Sequence, residues 1–178
     1  LSIELDIPFD TIQSGLDQYN GVRRRFEIKY TLNNGIMIVD DYAHHPSELS
    51  ATLEAARGCW PNREMLVVFQ PHRYSRTRDL FEPFVELLSK EDRLVVCEVY
   101  PAGEEPIEGA DGYALFSAIC SKAKLEPVFL ANIYELYKLL PSLLHADDLL
   151  LTLGAGNIGK VAKALGDVPV DRTIGLEI

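Results

Sequence analysis

The chain has 178 residues, 47% of them apolar, which is enough for one globular domain with a sizeable core. No apolar run reaches the roughly 18 residues that a transmembrane helix requires, and no secretory signal opens the chain, so we expect a cytoplasmic protein that binds no membrane. The net charge of −10 argues against a nucleic-acid-binding surface. The three cysteines lack metal-ligand spacing, so we expect reduced thiols. Because the first residue is Leu rather than Met, we expect a piece of a longer protein.

The first part of the chain predicts a helix followed by a hairpin. Residues 8–19 show the apolar periodicity of a helix, which Pro8 would begin. Two strand-like runs, 25–32 and 36–40, are separated by Asn-Asn-Gly, and these residue types tolerate the positive φ of a hairpin turn. We therefore expect an antiparallel pair of strands here.

After the hairpin, apolar runs alternate with helix-patterned segments. The predicted strands are 65–70, 94–100, 127–130 and 149–153, and the predicted helices are 47–58, 79–90, 111–124 and 133–144. Pro83 requires the second of these helices to start near residue 82 or to kink there. Apolar strands bounded by helices predict an α/β fold. We expect a Rossmann-like open sheet, mostly parallel, with the hairpin adding one antiparallel edge strand and helices on both faces.

The first polar cluster is DDYAHHPSE at 40–48, where a predicted strand leads into a helix. In open α/β sheets this turn is the usual position for a ligand. Tyr42 offers a π face and a hydroxyl, and His44 can donate or accept a hydrogen bond near neutral pH. The structural alternative is that Asp40 or Asp41 caps the turn. Adjacent histidines diverge in such a segment and have no third ligand nearby, so we predict no metal site.

The second polar cluster, QPHRYSRTR at 70–78, follows the next apolar run in the same way. We expect the two turns to lie on neighbouring strands and to converge on one ligand. The spacing of His72, Arg73 and Arg76 would let a turn or the start of a helix aim them at one anion, which Arg can bind in bidentate fashion. Arg78 is expected at the surface. A solvated basic face is the alternative for the whole cluster.

Two further loops follow predicted strands at the same edge. Residues 154–159 read GAGNIG, a formal GxGxxG motif. A dinucleotide site would need a further strand with an acidic end about 20 residues on, which the pattern does not show. We expect these glycines to let the backbone approach a neighbouring domain or a ligand. The acidic loop at 99–111 is either a rim of the site or a plain solvent loop.

These motifs, in this order, closely resemble the C-terminal domain of the Mur ligases. The matching segments are GVRRRFE at 21–27, DDYAHHPSE at 40–48, FQPHRYSRTRDLF at 69–81, VYPAGEEPIEGAD at 99–111 and GAGNIG at 154–159. Within the family the likeness is strongest to the members that join L-alanine to UDP-N-acetylmuramate. The murein tripeptide ligases, which share a similar first turn, are the alternative within the family. A nicotinamide-binding domain and a phosphoesterase that uses the Asp and His pairs are the alternatives outside it.

The resemblance implies the third domain of an ATP-dependent amide ligase of peptidoglycan synthesis. Residues 1–20 would be the end of the central domain and the hinge, 21–165 the C-terminal domain, and 166–178 a tail. The partners would be UDP-N-acetylmuramate, L-alanine, ATP and the protein's own N-terminal and central domains. ATP and Mg²⁺ would be bound mainly by the central domain, since this chain has no GxxxxGK[ST] motif. Alone, the chain would be inactive.

The resemblance also assigns site residues. Catalytic roles fall to His44, His72 and Arg76. Substrate binding falls to Tyr42, Arg73 and Arg76, and cofactor binding to Tyr42 and Asp41. In the family the muramoyl carboxylate attacks the γ-phosphate of ATP, and the amine of L-alanine then attacks the acyl phosphate. Charge therefore builds on phosphoryl oxygens and on a tetrahedral centre, so catalysis depends mainly on positioning and electrostatics.

Overall fold

The computed structural model of the chain describes residues 4–18, 21–122 and 126–167. Predictions about residues 19–20, 123–124 and 168–178 lie outside the described residues. No helix in the described part of the chain is long and apolar enough to cross a membrane.

One six-stranded sheet forms the centre of the fold. Its strands are β1 (Glu27–Thr31), β2 (Met37–Asp41), β3 (Met65–Phe69), β4 (Leu94–Cys97), β5 (Val128–Leu130) and β6 (Leu149–Leu153). Their spatial order is β1-β2-β6-β3-β4-β5. β1 pairs antiparallel with β2 at one edge, and all the other pairs of neighbouring strands are parallel. The predicted open sheet with one antiparallel edge strand is confirmed.

Helices cover both faces of this sheet. They are α1 (Phe9–Asp17), α2 (Pro46–Cys59), α3 (Tyr74–Asp79), α4 (Phe81–Leu88), α5 (Gly112–Lys122), α6 (Leu136–Leu143) and α7 (Ile158–Asp167), with a 3-10 turn at Ile133–Glu135. Residues of α2, α4 and α5 pack on the face that includes Val67 and Phe69. Residues of α6 and α7 pack on the opposite face, with Leu66 and Val68. Because successive strand residues point to opposite faces and both faces are covered, β3 is apolar throughout.

The hairpin forms as predicted. The backbone N–H of Leu32 donates to the carbonyl oxygen of Ile36 at 2.8 Å, and that of Gly35 donates to Leu32 at 2.9 Å. Gly35 has a φ of +82°, a conformation that glycine adopts without steric cost. The pairing of Glu27 with Asp40 then fixes where the two strands end.

Two expectations along the chain need refinement. We predicted that β2 and β3 are neighbours, and this is wrong because β6 lies between them. The helix predicted at 79–90 is shorter in the structure, where it corresponds to α4. A separate short helix, α3, precedes it. Pro83 is the third residue of α4 and lies in its first turn, where a missing N–H leaves no helical hydrogen bond unmade. The start near residue 82 is therefore confirmed within one residue.

The first helix, α1, lies outside the core. Pro8 immediately precedes it, as predicted, but none of its residues is buried. The side chains of Phe9 and Leu16 are 70% and 68% exposed. Apolar side chains that remain exposed together on one short segment are typical of a surface that contacts something else.

Candidate functional site

The two polar turns meet above the carboxyl end of β6. The imidazole rings of His44, which follows β2, and His72, which follows β3, have centroids 5.9 Å apart. Just after β6, a Cβ atom at Gly154 would lie 2.6 Å from the carbonyl oxygen of Gln70. Because glycine has no Cβ, the turn after β3 can approach the end of the intervening strand. The two turns therefore lie side by side although their strands are not neighbours, and their convergence on one ligand stays a prediction.

The first turn is held by two carboxylates. Asp41 is buried and accepts hydrogen bonds from the backbone N–H groups of Phe26 at 2.6 Å and Ala43 at 2.7 Å. Glu48, in the first turn of α2, accepts from the backbone N–H of His44 at 3.0 Å. Asp41 thus caps the turn, which was the structural alternative to a role in ligand binding. Its contact with a nucleotide stays a prediction.

Tyr42 lies between the hairpin and His44. Its ring is edge-on to the imidazole, with centroids 5.5 Å apart. The guanidinium carbons of Arg24 and Arg25 lie 5.0 and 5.6 Å from the centroid of the phenol ring, within cation–π range. The Nδ1 atom of His44 lies 3.0 Å from the carbonyl oxygen of Tyr42. These contacts give the predicted substrate-facing tyrosine a fixed orientation.

The second turn places His72 between an aromatic ring and a cation. Its imidazole stacks on Tyr100, with centroids 5.5 Å apart and an interplanar angle of 16°. Nη1 of Arg76 lies 3.1 Å from the carbonyl oxygen of His72 and 3.1 Å from its Nδ1. Burial lowers the pKa of His72, and the positive charge of Arg76 lowers it further.

The acidic loop at 99–111 lies against this turn. The carboxylate of Glu104 accepts from the backbone N–H of Ser75 at 2.9 Å and from its hydroxyl at 2.6 Å. Nη1 of Arg73 lies 3.6 Å from the same carboxylate. The hydrogen bonds from Ser75, together with the charge of Arg73, lower the pKa of Glu104. The loop thus contacts the second polar turn, and its position at the rim of a ligand site stays a prediction.

The arginines of the second cluster have different surroundings. Arg78 is 57% exposed and pairs with the adjacent carboxylate of Asp79 at 2.8 Å, as expected for a surface residue. Arg73 precedes α3 with a φ of +74°, and its side chain is 48% exposed. Arg76 is half-buried and anchored on His72. Arg76 therefore contacts the imidazole of His72 directly, whereas Arg73 contributes positive charge to its surroundings.

Arg24 joins the hairpin to the end of β6 and was not assigned a role from the sequence. Its Nε donates to the carboxylate of Asp40 at 2.9 Å, and that carboxylate is fully buried. Its two terminal nitrogens donate to the carbonyl oxygens of Gly154 and Gly156. Asp40 also accepts from the hydroxyl of Thr152 at 2.8 Å. In the sequence, Arg24 is recognisable just as part of the basic motif before the hairpin. That motif does not reveal that the hydrogen-bond acceptors of Arg24 lie in the glycine turn near the other end of the chain.

The glycine turn after β6, residues 154–159, packs closely against side chains of the same domain. A Cβ at Gly156 would meet the side chains of Gln70 and Tyr100, and a Cβ at Gly159 would meet the guanidinium of Arg24. Oε1 of Gln70 accepts from the first N–H of α7 at 3.0 Å. We expected these glycines to admit a neighbouring domain or a ligand. The structure shows that they allow close approach within the domain, and an approach to a neighbouring domain or a ligand stays a prediction.

Among the described residues, Glu64, His145 and Asp148 form a group of potential metal ligands at the opposite edge of the sheet. Arg93 already provides a positive charge there. Its Nη1 lies 2.7 Å from the carboxylate of Asp148 and 3.4 Å from that of Glu64. This group is therefore an ion-pair cluster away from the two polar turns.

Comparison with known proteins identifies the family of this chain. The family profile described as Mur ligase, glutamate ligase domain, matches residues 24–156. A UDP-N-acetylmuramate–L-alanine ligase of Methylococcus capsulatus is 49% identical over 168 residues, which are 93% of this chain and 36% of that protein. The enzyme of the same name from Thiobacillus denitrificans is 52% identical over 161 residues, or 88% of this chain and 35% of that protein.

A crystal structure of a UDP-N-acetylmuramate–alanine ligase of Thermotoga maritima superposes with a TM-score of 0.75 at 27% identity, over 93% of this chain and 34% of that one. The α/β fold of this chain is thus shared with a ligase of that name. The chain belongs to the Mur ligase family and contains its glutamate ligase domain. It spans about a third of the length of the relatives that it matches.

Proposed function

We propose that this chain is the C-terminal domain of an ATP-dependent ligase that joins L-alanine to UDP-N-acetylmuramate in the cytoplasm during peptidoglycan synthesis. The observation that carries the proposal is the convergence of two polar turns at one edge of the sheet, in a chain about half identical to ligases of that name. Residues 21–165 form the domain, and residues 1–20 belong to the central domain and the hinge. Exposed Phe9 and Leu16 support a contact between α1 and a preceding domain.

The arginines suit the anionic groups of this reaction. Arg76 contacts the imidazole of His72 and Arg73 adds positive charge beside it. A guanidinium binds a carboxylate or a phosphoryl group through paired hydrogen bonds. We assign them to the carboxylate of L-alanine or to phosphoryl oxygens. Tyr42, whose ring is fixed by the hairpin arginines, would line the substrate and nucleotide side of the cleft.

The imidazoles of His44 and His72 would border the point where the amine meets the acyl phosphate. Both rings are held by hydrogen bonds to the chain, so their orientation is set before substrates bind. Such preorganisation reduces the reorganisation that the reaction requires.

The carboxylates of this chain's first turn do not suit Mg²⁺. All four oxygens of Asp40 and Asp41 accept hydrogen bonds within the domain, and both residues are buried. Mg²⁺ normally binds carboxylates that leave room for several coordinated waters. We therefore assign Mg²⁺ and most of the ATP contacts to the preceding part of the full-length protein.

A phosphate-release assay tests the proposal. The full-length protein should release phosphate when UDP-N-acetylmuramate, L-alanine, ATP and Mg²⁺ are all present, and omission of any one should abolish release. The present chain alone should release none. Turnover with the murein tripeptide in place of L-alanine would favour the alternative family member. Turnover by this chain alone would contradict the proposed division between domains.

A further inference from the structure

The hydrogen bond made by His44 determines which of its ring nitrogens carries the proton. Nδ1 lies 3.0 Å from the carbonyl oxygen of Tyr42 and 3.5 Å from the carboxylate of Glu48. A carbonyl oxygen only accepts hydrogen bonds, so Nδ1 must be the donor. In the neutral ring Nε2 is then unprotonated and can accept a proton.

The hydrogen bond made by His72 has the opposite polarity. Its Nδ1 lies 3.1 Å from Nη1 of Arg76, and a guanidinium only donates. Nδ1 must therefore be unprotonated, and the neutral ring carries its proton on Nε2. Nη1 has two hydrogens, and the second is directed to the carbonyl oxygen of the same residue at 3.1 Å. Arg76 thus holds both the main chain and the ring of His72.

The groups around His72 favour its neutral form. Arg76 and Arg73 contribute positive charge, the neighbouring His44 acts in the same direction, and Glu104 acts in the opposite one. Tyr100 covers one face of the ring. Burial and these charges together lower the pKa of His72, so the neutral ring persists further into the acid range than usual.

We propose that the two imidazoles are fixed in opposite tautomers, so that His44 accepts a proton at Nε2 while His72 donates a hydrogen bond from Nε2–H, with Arg76 as the positioning residue. The identity of the ligand rests on the proposed function. When the amine nitrogen bonds to the acyl carbon, the bond from that carbon to the phosphate oxygen breaks and phosphate leaves with its electron pair. The proton released by the amine passes to His44. His72 keeps its proton and stabilises the oxygen on which charge builds.

Nitrogen-15 NMR of the imidazoles in this chain tests the assignment without any substrate. Each histidine signal is identified from a single His→Gln variant. At mildly alkaline pH, the spectra should show Nδ1–H for His44 and Nε2–H for His72. Finding the same tautomer in both rings, or each ring in the tautomer opposite to that expected, would overturn the proposal.

Removal of the cation tests the role of Arg76. In Arg76→Leu the pKa of His72 should rise and its preference for Nε2–H should weaken, while the tautomer of His44 stays the same. Arg78→Leu is the matched control and should change neither. An unaltered pKa and tautomer of His72 in a folded Arg76→Leu variant would refute the positioning role. If that variant does not fold, the tautomers of the unmodified chain still decide the assignment.

Two isosteric substitutions connect the tautomers to activity in the full-length protein. The amide nitrogen of Gln can take the place of Nε2, whereas that of Asn takes the place of Nδ1. His72→Gln should therefore retain kcat/KM at least about fivefold above His72→Asn, because only Gln keeps the donated hydrogen bond. The reverse order would contradict a donor role for His72. The NMR result does not depend on ligase activity, so a failed tautomer assignment and a failed functional proposal can be told apart.

Discussion

Replacing Arg24 with leucine would remove the cation beside the fully buried carboxylate of Asp40. The carboxylate would keep the hydrogen bond from the Thr152 hydroxyl at 2.8 Å. Breaking a fully buried ion pair costs about 3–5 kcal/mol, whereas an exposed pair contributes less than about 1 kcal/mol. Because 22% of the Arg24 side chain is exposed, we expect a loss of about 3 kcal/mol, at the lower end of the buried range.

Urea unfolding of this chain, followed by circular dichroism, would measure the loss as a lower midpoint with an unchanged slope. Arg25→Leu is the control, since Arg25 is exposed and shares the contact with Tyr42. A cation–π contact at an exposed site contributes about 0.5–1 kcal/mol. The double variant Arg24→Leu with Asp40→Asn should cost less than the sum of the single changes, because the uncompensated charge is gone. Equal losses from Arg24→Leu and Arg25→Leu, both below about 1 kcal/mol, would refute the reasoning.

Further predictions concern the second polar turn and the core. Arg76→Lys in the full-length protein keeps the charge but loses the planar two-donor fork that would bind an anionic group, so kcat/KM should fall roughly ten- to a hundredfold, while Arg78→Lys should have little effect. Equal, small effects would mean that the turn is a solvated basic face. Burial of Cys97 raises the pKa of its thiol, so in the native chain it should resist a thiol reagent that modifies the two exposed cysteines. Modification of all three thiols at one rate, without unfolding, would contradict this burial.

Local sequence patterns predicted the hairpin and the positions of the buried strands. The turn residues at 33–35 identify the hairpin because Gly35 adopts a positive φ that few residues tolerate. The run at 149–153 matches β6 at both ends. Both faces of this strand are buried, so its residues form one continuous run rather than an alternation of apolar and polar residues, and the ends of the run are easy to identify. The spatial order of the strands could not be predicted this way. Chain order does not indicate that β6 lies between β2 and β3.

The candidate site likewise contains features that the sequence predicts and others that it does not. The positions of Tyr42, His44 and His72 could be predicted, because polar residues after buried strands collect at one edge of a parallel sheet. The support given by Arg24 could not, since its acceptors at the glycine turn are 130 and 132 residues away. Nor does the pattern reveal that Arg76 holds a histidine four residues before it rather than facing solvent.

The central position of β6 has a consequence for how the domain forms during synthesis. Asp40 and Thr152, which face each other across β2 and β6, are 112 residues apart in the chain. Contacts at such separation are slow to form because a long loop must close first. We expect the edges of β2 and β3 that pair with β6 to stay unpaired on the nascent chain until residue 153 has left the ribosome. During that interval the growing protein exposes apolar strand edges, so its solubility should depend on chaperones more than the finished domain does.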